Sequence, residues 1–480
     1  MQNREIWPQI EPSYSITFML RRPSWAALGA AVIIAALFLA FAGDGLRAFF
    51  TADDMMNLYR AWADSPGELM RDDRPLVALV FRAMFACFGM NPLPYRVLAM
   101  GLLAANLPLL YEFCAMLSGS CEAAALACLI GAYHAHLADL YYSTGTLYDL
   151  LCWFWVLGAF VYYLRIRSRG RYPNWRETAA LLALYLCALG SKEMAATLPV
   201  LLALYECIYS RGKLVSWLRH GAYFWWLAIP LTIVYTLRKV IGPEAMTANE
   251  AYAIHLSAHA WFTAWKHYLN DLFYNSIGFS SFLVAALWTT MLALGLATRA
   301  RELLFAWCMI MIAALPVVFI PPRGFFAFYV ALPGWYLYAG GALVRLRDFM
   351  ERKLAPAMAI RPAQLLLFLF VAVVAVPLHH STKPKARAWV AGAHQAVRVV
   401  LEYLDQQVPA LPRGGRVLFL ADTYPADDHF LTSVFRLHYR DRDLRVDRVK
   451  AQPELADEAA HYDRLFVLDE KGLREASRGN

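Results

Sequence analysis

Apolar runs of about 20 residues, the length that crosses a bilayer as a helix, recur from Trp25 to Val376 and constrain this chain more than any motif does. The first, Trp25–Ala42, holds no charged residue. With no water to satisfy them, backbone amides inside a bilayer must bond within their own segment. Runs of this kind therefore predict helices, and a sliding reading finds about eleven of them. They lie near 24–43, 95–117, 121–141, 146–164, 177–191, 194–210, 217–237, 278–297, 303–320, 325–344 and 363–379. Charged residues make up 17% of the chain, against about 25% in soluble domains. The expected class is an all-α polytopic membrane protein.

Charge then orients the spans. Arg21 and Arg22 precede the first one and point to a cytoplasmic N-terminus. That span is long for a signal peptide and lacks a convincing cleavage site. Arg165, Arg167, Arg169, Arg171 and Arg176 crowd one later loop, and Arg211, Lys213 and Arg219 mark another. Arg299 and Arg301 mark a third, and Arg345, Arg347, Arg352 and Lys353 a fourth. Counting spans puts all four loops on the cytoplasmic side. The net charge of +8 is thus topogenic, which excludes a nucleic-acid partner. The eight cysteines sit in or beside apolar stretches without a CxxC pair, and read as small buried hydrophobes.

The loop over 44–94 carries two amphipathic segments, DDMMNLYRAW and RPLVALVFRAMFACFG, that read as interfacial helices. Residues 244–276, rich in Trp, Tyr and His, give a similar signal. After about residue 380 the chain turns polar. GGRVLFLAD, LRVDRV and YDRLFVL read as strands and FLTSVFRLHYR as a helix. The expected organisation is a transmembrane domain over 1–380 and a small extracytoplasmic α/β domain over 381–480. No GxGxxG follows VLFLAD, so a lid or acceptor-docking module is favoured over a nucleotide fold.

Asp53 and Asp54 follow the first span, and Asp139 lies in the next outer loop. Carboxylates at the edge of a membrane domain are costly and mark function. They suit a general base toward a hydroxyl or amine, or a divalent cation, Mg or Mn, held by Asp139 and Asp54. The bland alternative is helix capping, for which Asp is favoured. Arg74, Lys192, Arg238, Lys239 and Arg323 occupy outer ends of spans. They suit a lipid-linked phosphate, with snorkelling to water as the alternative. Lys192 and Glu193, between two nearly continuous spans, read as a buried, paired charge. His134 and His136 could ligate zinc but lack a third soft ligand nearby, so a hydrogen-bonding role is favoured for both.

Taken in order, these segments resemble the GT-C glycosyltransferases, multispanning enzymes that use polyprenyl-phosphate sugars. The likeness is greatest to TMTC-type and PMT-like O-mannosyltransferases and their bacterial relatives. ADDMMNLY at 52–59 resembles the family's first acidic motif, and RPLVALVFRAMFACFGMNPLPYRVLAMGLLAANLPLLY at 74–111 the block after it. HAHLADLYYSTGTLYDLL at 134–151, GSKEMAATLPVLLALYE at 190–206 and RGFFAFYVALPGWYLYAG at 323–340 follow in the family's order. The resemblance covers roughly residues 25–345. It implies a GT-C-like bundle and an inverting transfer with Asp53 as base. By the same resemblance Asp139 becomes the second acidic residue, and Lys192 and Arg323 hold the donor phosphate. The reading of the residues themselves adds Asp54 as a capping, metal-supporting or acceptor-orienting neighbour, Arg74 and Arg238 as further phosphate candidates, and Glu193, His136, Asp149 and Tyr329 as supporting residues. The implied partners are a polyprenyl-phosphate sugar, a protein, lipid or glycan acceptor, and membrane lipid. The implied location is the bacterial inner membrane, with the site on its outer face.

The chain departs from the family at several points. Asp139 replaces a Glu, GTLYD lacks the family's Arg, and Pro322 stands where a Glu is usual. No 34-residue repeat follows the spans. The rival class is a transporter or flippase of a lipid-linked or anionic substrate. It predicts charges near the midplane and related halves, whereas these charges gather toward one face.

Overall fold

A computed structural model describes residues 25–71, 73–209, 217, 223–241, 245, 247, 249–354, 360–470 and 472–476. Arg21, Arg22, Arg211, Lys213 and Arg219 lie outside the described residues. The helices run α1 (Trp25–Ala42), α2 (Ala52–Ala63), α3 (Pro66–Arg71), α4 (Pro75–Phe88), α5 (Pro92–Ser118), α6 (Cys121–Gly131), α7 (Ala138–Tyr142) and α8 (Leu147–Arg167). Next come α9 (Trp175–Leu189), α10 (Leu198–Tyr209), α11 (Tyr223–Val240), α12 (Ala258–Leu272), α13 (Ser281–Ala297), α14 (Arg301–Val318), α15 (Leu332–Leu354) and α16 (Ile360–Gln407). The chain ends in β1 (Arg416–Ala421), α17 (Phe430–Tyr439), β2 (Arg445–Arg448), β3 (Arg464–Asp469) and β4 (Gly472–Glu475).

Over its described residues, each apolar stretch read from the sequence is mainly helical. Among the described residues, 6 helical stretches are long and apolar enough to cross a membrane. The count is 7 if α6 and the bent segment after it, turned by 62°, form one span. The expected eleven is larger because several apolar helices are short. α9 has 15 residues, α10 has 12 and α13 has 17. Some are completed by irregular backbone, such as the 3-10 segment Glu193–Thr197 before α10. Non-helical backbone at membrane depth is tolerated where protein or a cavity surrounds it.

The chain forms two compact units. The first takes residues up to Gly43, Gly101–Leu137 and Tyr148–Lys383. The second takes Asp44–Met100, Ala138–Leu147 and Pro384–Asn480.

In the first unit α15 packs against α6 and α14, α10 and α13 against α14, and α11 against α9. One end of this bundle is pinned by ion pairs between helices. Arg165 meets Glu112 at 2.5 Å, Arg167 meets Glu206 at 2.6 Å, and Arg345 and Arg347 meet Glu302 and Glu122. Tyr163 also donates to Glu206, at 2.6 Å. The arginines read as topogenic therefore join neighbouring helices as well. Because their helices alternate in direction, α8 begins, α9 ends and α15 begins at the opposite end. There the packing is aromatic: Tyr268 stacks on Phe328 at 5.0 Å and Trp153 on Tyr329 at 5.0 Å.

In the second unit α2 lies against α4 and α17. Both interfacial segments read from the 44–94 loop are helices, α2 and α4. The sheet order is β2-β1-β3-β4, with β1 parallel to β2 and β3, and β4 antiparallel to β3. Phe435 of α17 packs edge-on to Phe419 of β1 at 5.4 Å and to Phe466 of β3 at 5.5 Å. The buried Arg448 donates to both oxygens of Asp422, at 3.0 and 2.6 Å. It also donates to the carbonyls of Tyr424, Pro425, Ala426 and Asp428, so the loop after β1 closes around it. The strands and helix read from the sequence are present, and the short polar β4 is added to them.

Candidate functional site

The acidic motif opens α2. Thr51 is its N-cap: its hydroxyl accepts from the Asp54 amide at 3.3 Å, and its amide donates to Asp54 Oδ2 at 2.8 Å. This reciprocal pair is a capping box, with Asp in the place more often filled by Glu. It divides the two carboxylates. Asp53 is exposed, whereas Asp54 is completely buried. Asp54 Oδ1 accepts from Ser143 Oγ at 3.1 Å and from the Gly145 amide. Its Oδ2 lies 3.1 Å from Arg96 Nη2, and Arg96 is 1% exposed. Arg96 also donates to the carbonyls of Ala48 and Phe49. Asp54 thus fastens the first turn of α2 to α5 and to the segment that carries Asp139.

That segment is closed on itself. The Asp139 carbonyl accepts from the Ser143 amide at 2.8 Å and from Thr146 Oγ1 at 3.1 Å. Gly145 leaves room for the approach, since a Cβ there would meet Asp53 Cβ at 3.2 Å and Asp54 Oδ1 at 3.4 Å. Asp53, Asp54 and Asp139 therefore share the second unit, with Asp139 half-buried. Arg74, in the same unit, is the half-buried N-cap residue of α4, with Pro75 starting the helix behind it.

As a ligand of a divalent cation, Asp54 fits poorly. Asp54 already accepts from two amides, a hydroxyl and a guanidinium, and the Arg96 charge opposes a second cation beside it. Among the described residues no group of three His, Cys, Asp or Glu side chains is placed to hold a metal.

The other predicted residues belong to the first unit, at the end opposite the arginine pins. Lys192 is 5% exposed and Asp149 2% exposed, and Lys192 Nζ meets Asp149 Oδ1 at 2.5 Å. Glu193 instead faces Lys239 Nζ at 3.5 Å. The expected buried, paired charge is present, but as two pairs rather than one. Lys192 has extended backbone (φ −161°, ψ 150°), so consecutive side chains leave on opposite sides. On α11 the adjacent residues likewise diverge: Lys239 is buried and Arg238 is exposed.

Arg323 precedes a 3-10 segment, Phe325–Ala331. Its guanidinium lies over the Tyr252 ring, 4.4 Å from the centroid. Its Nη1 is buried without a hydrogen-bond partner. The Arg323 carbonyl accepts from His267 Nε2 at 2.8 Å. His267 and His136 both face Asp271, at 3.5 and 3.3 Å. Lys192 Nζ lies 5.4 Å from the Phe326 ring, three residues beyond Arg323. Tyr329 is buried, and its hydroxyl accepts from Asn106 Nδ2 at 3.5 Å.

Arg96, Ser143, Asn106, Tyr252, His267 and Asp271 of these networks are not singled out by the sequence. Arg96 carried a signal, a charge in the first turn of the apolar PLPYRVLAMG stretch. Lys239 is read from sequence together with Arg238 as an outer-end cation, and only the fold separates the two. Ser143 gave no signal.

No protein-family model matches the chain, and no curated protein matches it. Among solved structures it is similar to the crystal structure of ArnT from Cupriavidus metallidurans bound to undecaprenyl phosphate. Sequence identity is 13% and the TM-score 0.48, over 93% of this chain and 94% of that one.

Proposed function

We propose that this protein is a multi-span glycosyltransferase that moves a sugar from a polyprenyl-phosphate donor to a hydroxyl or amine acceptor. Arg323 carries the reading on the donor side. A buried guanidinium nitrogen without a partner, on a cation already desolvated by Tyr252, is a site for an anionic oxygen. A phosphate whose tail remains in the bilayer supplies one. Lys192, paired with Asp149, adds charge at the same end of the first unit, and Arg238 and Arg74 are secondary candidates. The ordered resemblance to GT-C glycosyltransferases supports the same donor class.

Asp53 is the base. It is exposed on a helical turn whose other carboxylate is locked in place. It takes the acceptor proton as the nucleophile attacks the anomeric carbon. The bond from that carbon to the phosphate oxygen breaks, its electron pair leaves with the phosphate, and the anomeric centre inverts. Cations at the phosphate stabilise the leaving charge. The site belongs to the extracytoplasmic face of the bacterial inner membrane in this reading.

The test is transfer from radiolabelled polyprenyl-phosphate sugars to membrane acceptors. Asp53→Asn is expected to lose about 100- to 10,000-fold in kcat, the range for a general base. Arg323→Met is expected to raise donor KM. Full transfer by Asp53→Asn refutes the base, and unchanged donor KM in Arg323→Met refutes the phosphate ligand.

A further inference from the structure

The C-terminal α/β segment was expected to be a lid or an acceptor-docking module. The second unit gives it a different task. α2 has 12 residues, too few to be stable as an isolated helix in water. Its order must come from what it packs on. Met55, Leu58 and Ala61 are buried, and its neighbours are α4 and α17.

α17 grips the later turns of α2 with two arginines. Arg436 Nη1 donates to the Tyr59 hydroxyl at 2.6 Å, while its Nε donates to the Leu444 carbonyl at 2.7 Å. Arg442, just past the helix, donates to the Trp62 carbonyl at 2.5 Å, with its guanidinium 5.0 Å from the Trp62 ring centroid. On the other side Arg82 of α4 donates to the Asp64 carbonyl at 2.7 Å. α17 is itself fixed on the sheet by Phe435, between Phe419 and Phe466. A continuous path of packed groups therefore runs from sheet to α17 to α2.

We propose that the C-terminal sheet and α17 form a clamp that positions α2, with Arg436 and Arg442 as positioning residues for Asp53. The assignment of Asp53 rests on the proposed function; the clamp itself does not. Tyr59 lies six residues after Asp53, about 9 Å along the helix axis at 1.5 Å per residue. The first turn is held by Asp54 and Arg96 and the last by α17, so a helix freed at one end pivots about the other. A shift of about 1 Å at a reacting group costs on the order of 100-fold in rate.

The experiment uses the full-length protein in nanodiscs and reads two things. The first is amide hydrogen exchange over residues 52–63. In Arg436→Met and Arg442→Met these amides are expected to exchange about tenfold faster, the loss of one charge-assisted hydrogen bond, with protection of β1 and β3 retained. Arg436→Lys is expected to restore part of the protection. Tyr59→Phe removes the acceptor without touching the sheet, and is expected to match Arg436→Met. The second readout is transfer from polyprenyl-phosphate-linked mannose, where kcat falls and donor KM is unchanged. Unchanged exchange over 52–63 in Tyr59→Phe overturns the clamp, whatever Arg436→Met does to the sheet. A rise in donor KM at constant kcat overturns the positioning role. A wild-type protein that transfers no sugar from any lipid-linked donor overturns the proposed function, and the exchange data still decide the clamp.

Discussion

Lys192 holds its ammonium 2.5 Å from Asp149 in a site where both side chains are almost fully buried. Removing one member of such a pair strands the other charge and costs about 3–5 kcal/mol, whereas replacing both by apolar groups is often close to neutral. Lys192→Met is therefore expected to lower thermal stability in detergent markedly, and Lys192→Met/Asp149→Leu to recover most of it. Transfer activity separates structure from function. With a phosphate contact at Lys192, the double variant is stable and still slow. A double variant that recovers both stability and transfer removes Lys192 from the donor site. The burial of Lys192 was legible from its place between two apolar runs. Its partner was not, because Asp149 lies 43 residues away and Glu193, next in sequence, faces elsewhere. Capping by Asp54 was legible as an alternative, since Asp is a favoured residue at a helix start. Its guanidinium partner Arg96, 42 residues on, required the fold.

At the scale of elements, the apolar runs identify the helices and mislead about where they stop. α16 was read as a span ending near 379, yet it continues to Gln407. Its extension buries Val390, Val397, Val400, Leu401 and Leu404, a helical spacing that Pro384 and the lysines around it mask. Close approach between helices is equally hidden. Gly340 of α15 faces α6 so tightly that a Cβ would collide with the Ala123 carbonyl, whereas a Cβ at Gly392 of α16 meets nothing within 4 Å. One substitution thus has opposite signs at two glycines. Gly340→Ala is expected to destabilise by about 1–3 kcal/mol through overpacking. Gly392→Ala is expected to stabilise by up to about 1 kcal/mol through helix propensity. Thermal unfolding of the two variants side by side decides it, and equal shifts of the same sign contradict the packing assigned to Gly340.

At the scale of the molecule, hydropathy divides the chain near residue 380, while compactness interleaves it. Residues 44–100 and 138–147, both between apolar helices, belong with Pro384–Asn480. Composition reports the solvent a segment prefers and carries no term for the contacts that gather distant segments, so this partition was not legible. The proposed sidedness rests on the first unit having a basic end and an opposite end. Arg165, Arg167, Arg345 and Arg347 sit at the first, while Lys192, Asp149 and Arg323 sit at the second. Their pairing with Glu112, Glu206, Glu302 and Glu122 leaves the orientation signal standing, since acidic residues contribute little to it. Arg169 and His259 are exposed at the two ends. In a cysteine-free background His259→Cys is expected to react with a membrane-impermeant maleimide on intact cells. Arg169→Cys is expected to react only after permeabilisation. The reverse pattern would turn the unit over and place Arg323 at the cytoplasmic face, against the extracytoplasmic site proposed for it.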